Sequence, residues 1–194
     1  MVERDLAKVE VAGSSPVIRS KGFKPKGLDP FFFASGITWE GVDVRNELKW
    51  EDDVVYKSKM MIVMRRDLKM RKGKIAAQAG HACIEVILMA LKKEGRMGDV
   101  EVSGDGVALS AEGKESTPLT DWFEYGCAKI CVYVDSEEAL MDVARKAAER
   151  GIAAAVITDA GMTEFHGVPT KTCLALEPLP AEVADEITGY LPLY

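Results

Sequence analysis

Histidine is scarce in this chain of 194 residues, with only His81 and His166 present, so a histidine-rich metal centre is not expected. Cysteine is nearly as sparse. Cys83, Cys127, Cys131 and Cys173 show no CxxC spacing and read as buried free thiols of a reducing compartment, not as a disulfide framework or a zinc site. No uninterrupted apolar run approaches the roughly 20 residues needed to cross a bilayer, so no membrane span is expected. The first residues carry Glu3, Asp5 and Glu10 and lack an apolar core segment, which fits neither a signal peptide nor an intact transit peptide. There is no GxGxxG, and Gly73-Lys74 lacks the spacing of a phosphate-binding loop, so a nucleotide-binding protein is poorly supported.

A hydrophobic fraction of 47% and 29% charged residues are ordinary globular values. The length suits one domain with a sizeable core and an appendage. The net charge of −6 argues against a phosphate-binding surface, but its distribution does not. Residues 57–74 hold Lys57, Lys59, Arg65, Arg66, Lys69, Arg71, Lys72 and Lys74 against Asp67 alone. An acidic body with one basic patch would hold a polyanion in one orientation, with strong salt dependence. The plainer alternative is a solvated loop.

The chain is organised around residues 59–82. Met60-Met61-Ile62-Val63-Met64 is an unbroken apolar run of the kind a fully buried strand requires. A polar loop then leads past Gly73 into a helical pattern in which Ile75, Ala76, Ala79, Ala82, Cys83, Val86 and Ile87 form an apolar stripe. Lys74, Gln78 and His81 follow helical spacing on a different face. A cation, an amide and an imidazole would therefore project near the C-terminal end of a strand, where open α/β sheets place their ligand sites.

Residues 1–56 have no persistent period beyond a possible helical turn around Val42 and Trp50. With Phe31, Phe32, Phe33, Trp39 and Trp50, they read as an irregular N-terminal arm carrying aromatic anchors, ahead of a domain over 57–194. Residues 95–120 read as a surface insertion with a small hairpin of 100–102 and 107–109, followed by a short helix bearing Trp122. A second strand spans 128–134. Asp135 and Glu138 fit a capping box for a helix stopped at Gly151. A third strand covers 153–158, a fourth 171–176, and Pro180 opens a final helix to about Tyr190. The order argues for an α/β sheet whose first three strands are parallel and whose last is antiparallel.

The run RRDLKMRKGKIAAQAGHA at 65–82, with Trp122, Gly126, Lys129-Ile130, Asp159-Ala160-Gly161, Thr163, Thr172-Cys173-Leu174-Ala175, Ile187-Thr188-Gly189 and Leu191, closely resembles the archaeal and eukaryotic class of peptidyl-tRNA hydrolase. The resemblance implies a mixed four-stranded sheet with helices on both faces. It also implies hydrolysis of the ester between a peptide and the terminal ribose of tRNA, without cofactor or metal, in recycling tRNA during translation. The key positions it implies are Lys74, Asp159 and Thr172, with Gln78, His81 and Thr163 around them. Arg65, Arg66, Lys69, Arg71, Lys72 and Lys129 are the expected tRNA-binding residues. Cys127, Met162 and Glu164 depart from the pattern, where glutamine, arginine and glutamine are common. Losing an arginine and gaining a carboxylate should weaken phosphate contact. A loop one residue longer leaves Thr170 as an alternative to Thr172.

For that reaction Lys74 can bind a phosphate or an oxyanion. Asp159 can orient water or act as a base if desolvation raises its pKa, and Thr172 can donate to the oxyanion. Each also has a structural reading: Lys74 as a solvated helix lysine, Asp159 as a turn former, His81 as a packed histidine and Thr172 as a β-branched strand residue. Ribosome-associated quality control is an expected setting; a second reading is a hydrolase-like fold serving as a binding or structural component of a ribosome or another RNA-containing assembly, docked through residues 1–56. A homodimer is expected if the protein is free. The expected location is cytoplasmic; a mitochondrial one is the alternative, with any presequence outside this chain.

Overall fold

The computed structural model describes residues 57–103, 106–110 and 113–194. The expected arm over 1–56, with its aromatic residues and possible turn, lies outside the described residues.

Strand β1 (Ser58–Arg65) is the centre of the molecule. Its side chains alternate between two cores, which is why its sequence shows no alternation. Met60, Ile62 and Met64 enter one core, with Ala82 and Val86 of helix α1 (Lys72–Lys93) and with Trp122. Met61 and Val63 enter the other, with Leu140, Val143, Ala184 and Ile187. Met60, Val63 and Met64 are fully buried, each contributing about 1.5–3 kcal/mol through loss of apolar surface to water.

After α1, strands β2 (Val100–Ser103) and β3 (Gly106–Leu109) form the expected hairpin, and α2 (Pro118–Glu124) carries Trp122. Then follow β4 (Lys129–Val134), α3 (Glu137–Glu149), β5 (Ala154–Asp159), β6 (Thr170–Leu176), a two-residue β7 (Leu179–Pro180) and α4 (Ala181–Thr188). The main strand order is β4-β1-β6-β5, with β7 extending the sheet to five strands by pairing with Ser58 and Lys59 of β1. β4 runs parallel to β1, and β6 runs antiparallel to both β1 and β5. β1, β4 and β5 therefore point the same way, and their C-terminal ends share one edge. Helices α1 and α2 cover one face; α3 and α4 cover the other.

Two expected boundaries differ. The cap of α3 is Ser136, whose hydroxyl accepts from the Ala139 N–H at 3.1 Å, because Asp135 is instead held by Nε and one terminal nitrogen of the Arg66 side chain, each at 2.9 Å. The last helix ends at Thr188, and the chain turns back to cover the edge of β4, where the Tyr133 N–H donates to Pro192 O and the Tyr194 N–H to Cys131 O. Among the described residues α1 is long and apolar enough to cross a membrane. It packs on the described fold through Gln78, Ala82, Val86, Ala90 and Leu91, while Ile84, Leu88 and Met89 stay exposed. The four cysteines are free, and burial pushes the Cys173 thiol up to about 12.

Candidate active site

The site forms where the end of β5 meets the first two turns of α1. Asp159 is the last residue of β5, and the backbone turns sharply beyond it. Gly161 makes that turn at φ +80°, and a Cβ there would lie 2.4 Å from Val168 O. Only glycine fits, both by conformation and by space. Its N–H donates to Asp159 Oδ1 at 2.9 Å.

Lys74 and Gln78, one helical turn apart on α1, both reach Asp159 Oδ2. The Lys74 ammonium forms an ion pair with it, and Gln78 Nε2 donates at 2.9 Å. The Lys74 and Asp159 side chains are 13% and 12% exposed, so the pair is shielded yet open at one side. Lys74 also donates to Thr163 Oγ1 at 3.2 Å and lies 5.6 Å from the Phe165 ring centre. Two of its three N–H bonds are thereby directed, and the third has no hydrogen-bond acceptor among the described residues.

Thr172 is fully buried behind Gln78, and its hydroxyl donates to Gln78 Oε1 at 2.6 Å. That bond fixes the amide orientation, because the carbonyl end must face Thr172 and the NH2 end must face Asp159. A fully buried hydroxyl cannot also reach an oxyanion, so the expected direct donation by Thr172 is replaced by a chain from Thr172 through Gln78 to Asp159. Thr170 bonds to Val168 O in its own loop and is not part of this chain.

The Asp159 carboxyl is held below the usual carboxylate range, chiefly by the Lys74 hydrogen bond, against an opposing contribution from burial. The expected rise by desolvation is thus reversed, since the ammonium outweighs the lost water. His81 is exposed and not packed as a core histidine. It stands one turn beyond Gln78 on a groove of about 550 Å³ that also contains Ile84, Glu85, Leu88, Val156 and Asp159.

The basic residues separate into two kinds. Arg65 is 9% exposed and bonds to Asp67, Glu137 and Lys171 O, so it braces β1 against β6 and α3 and is not available to a phosphate. This corrects its assignment as a tRNA contact. Lys69 and Lys72 are exposed beside the site. Arg66 lies over the Tyr133 ring at 3.7 Å, and Lys129 over Trp122 at 4.6 Å. Arg71 is exposed but paired with Glu164 at 2.8 Å, so the carboxylate that departs from the family pattern neutralises one cation of the rim. The Glu164 partnership and the groove beyond His81 were missed from sequence. The spacing of Ile84, Glu85 and Leu88 from His81 was a signal for the groove. Nothing local signalled the partner of Glu164.

The family model for peptidyl-tRNA hydrolase PTH2 matches residues 58–194. The chain is 37% identical over 135 residues to a peptidyl-tRNA hydrolase of Methanocaldococcus jannaschii, covering 70% of this chain and 98% of that protein. It is 39% identical over 137 residues to a peptidyl-tRNA hydrolase of Pyrobaculum aerophilum, covering 70% and 97%. A probable peptidyl-tRNA hydrolase 2 of Drosophila melanogaster is 36% identical over 135 residues, covering 70% and 61%.

Proposed function

The chain belongs to the peptidyl-tRNA hydrolase PTH2 family, and on that premise we propose that it hydrolyses the ester joining a peptide to the terminal ribose of tRNA, returning the tRNA to translation. The observation that carries the assignment of chemistry to residues is the shielded Lys74–Asp159 pair at the end of β5. The free N–H of Lys74 polarises the ester carbonyl and stabilises the oxyanion of the tetrahedral intermediate. Asp159 has both oxygens engaged but retains acceptor capacity on Oδ1, which positions the attacking water.

Because Lys74 depresses its pKa, Asp159 is a weak proton acceptor at rest. It takes the water proton late, once bond formation to the carbonyl carbon has made that proton acidic, and passes it to the departing ribose oxygen. Gln78 and Thr172 act as positioning residues, and Thr163 holds the ammonium from its second side. Lys69 and Lys72 meet the phosphates; Arg66 and Arg71 contribute less because Asp135 and Glu164 share them.

The test is incubation of the full chain with a defined peptidyl-tRNA in the presence of a chelator. Release of free peptide and intact tRNA is expected. Substrate that stays intact at enzyme excess overturns the proposal.

A further inference from the structure

The groove beside Asp159 has two unlike walls. One is the outer face of α1, where His81, Ile84, Glu85 and Leu88 recur at helical spacing. Ile84 is 65% exposed and Leu88 48%, a high exposure for two aliphatic side chains one turn apart. The other wall is β5 itself, represented by Val156, Ile157 and Thr158. β5 ends the sheet: it pairs with β6 on one side, and among the described residues no strand pairs with the other. The opposite edge, β4, is closed by the C-terminal segment. In an antiparallel pair, backbone groups point alternately toward and away from the partner. The Glu177 N–H bonds to Ala153 O across the pair, so the backbone groups of Ala154 and Val156 face the open side.

We propose that this edge receives the peptide part of the substrate as an added strand, running parallel to β5, with alternate side chains against Ile84 and Leu88. The inference rests on the hydrolase reading and adds to it the place and mode of peptide binding. Three observations select that occupant. The groove is continuous with the reacting site, since Gln78 and Asp159 line both. Its direction is fixed, because β5 runs toward Asp159 and the ester carbon is the C-terminal atom of the peptide. Its chemistry rejects the other half of the substrate: Glu85 and aliphatic side chains line it beside Gln78, His81 and Asp159, with no lysine or arginine among them, whereas Lys69 lies in the loop before α1 and Lys72 is the first residue of that helix. Backbone pairing to an edge reads no side-chain identity, which suits an enzyme facing peptides of arbitrary sequence.

The experiment compares kcat/KM of the full chain on an N-acetyl-aminoacyl-tRNA, a tetrapeptidyl-tRNA, and the same tetrapeptidyl-tRNA N-methylated at its second and third residues from the ester. The longer substrate is expected to be better by on the order of tenfold, since each net hydrogen bond is worth a factor of several. N-methylation should remove that advantage, as should Ile84→Asp, while turnover of the acetyl-aminoacyl substrate stays unchanged. Equal kcat/KM for the three substrates overturns the inference and leaves the hydrolase reading intact. Absence of turnover on all three overturns both. An equal loss on all substrates in Ile84→Asp, with a change in sedimentation from dimer to monomer, assigns the groove to a second copy and also overturns it.

Discussion

Replacing Thr172 by valine separates positioning from direct catalysis. The two side chains have nearly the same shape, so the substitution deletes one hydroxyl from a fully buried site without opening a cavity. The hydroxyl sits 2.6 Å from Gln78 Oε1, and Gln78 is itself 3% exposed, so water cannot take its place without rearrangement. An amide oxygen left unsatisfied in such a place costs about 1–3 kcal/mol. Unfolding in urea should therefore show a lower midpoint with an unchanged slope. The amide is also freed to rotate, and its bond to Asp159 Oδ2 is no longer enforced. A fall in kcat of roughly tenfold is expected, with KM for peptidyl-tRNA unchanged, because Thr172 touches no part of the substrate. Thr172→Ser keeps the hydroxyl and should recover most of kcat while remaining slightly less stable through the lost methyl group. Wild-type kcat and stability in Thr172→Val, or a serine variant as slow as the valine one, would refute the chain from Thr172 through Gln78.

Three further outcomes follow from the same geometry. Asp159 has a lowered pKa in the folded protein, so the stability it contributes is present above its unfolded value, near ~3.9, and is lost only as pH falls through the lower folded value. Activity should thus persist through the ordinary aspartate range in pH–rate measurements, and Lys74→Met should move the acid limb upward; an unmoved limb would contradict the pairing. Lys72→Ala should reduce the salt dependence of tRNA binding by about 0.7–0.9 in log–log slope. Arg65→Ala should leave that slope unchanged and lower stability by roughly 1.5–3 kcal/mol, and the reverse pattern would restore Arg65 to the tRNA surface. Gly161→Ala forces a Cβ onto the Val168 carbonyl at a left-handed φ. It should abolish measurable turnover while far-ultraviolet circular dichroism stays native; an active alanine variant would show that the turn is not needed in this form.

The two-sided burial of β1 was legible because only a central strand tolerates five consecutive apolar residues. The hairpin of β2 and β3 was legible from its short apolar pieces around the turn. Helical spacing put Lys74 and Gln78 on one face of α1 near a strand end, and only the resemblance to the hydrolase family brought Asp159 to them. What failed was decided by tertiary partners. Asp135 lost its capping role to Ser136 because Arg66, distant in sequence, claims its carboxylate. Arg65 resembled its basic neighbours, yet its position inside β1 turns the guanidinium inward toward Asp67 and Glu137. The direction of the Asp159 shift depended on the proximity of Lys74, which no spacing in the sequence could weigh against burial.

The most direct test is a double-mutant cycle on Lys74 and Asp159, read as single-turnover rates of peptidyl-tRNA hydrolysis. If the pair acts as one electrostatic unit, Lys74→Met and Asp159→Asn should each slow the reaction by about 10²–10³, and the double variant should be little slower than either. Additive losses, or a single variant within a few-fold of wild type, would contradict the account.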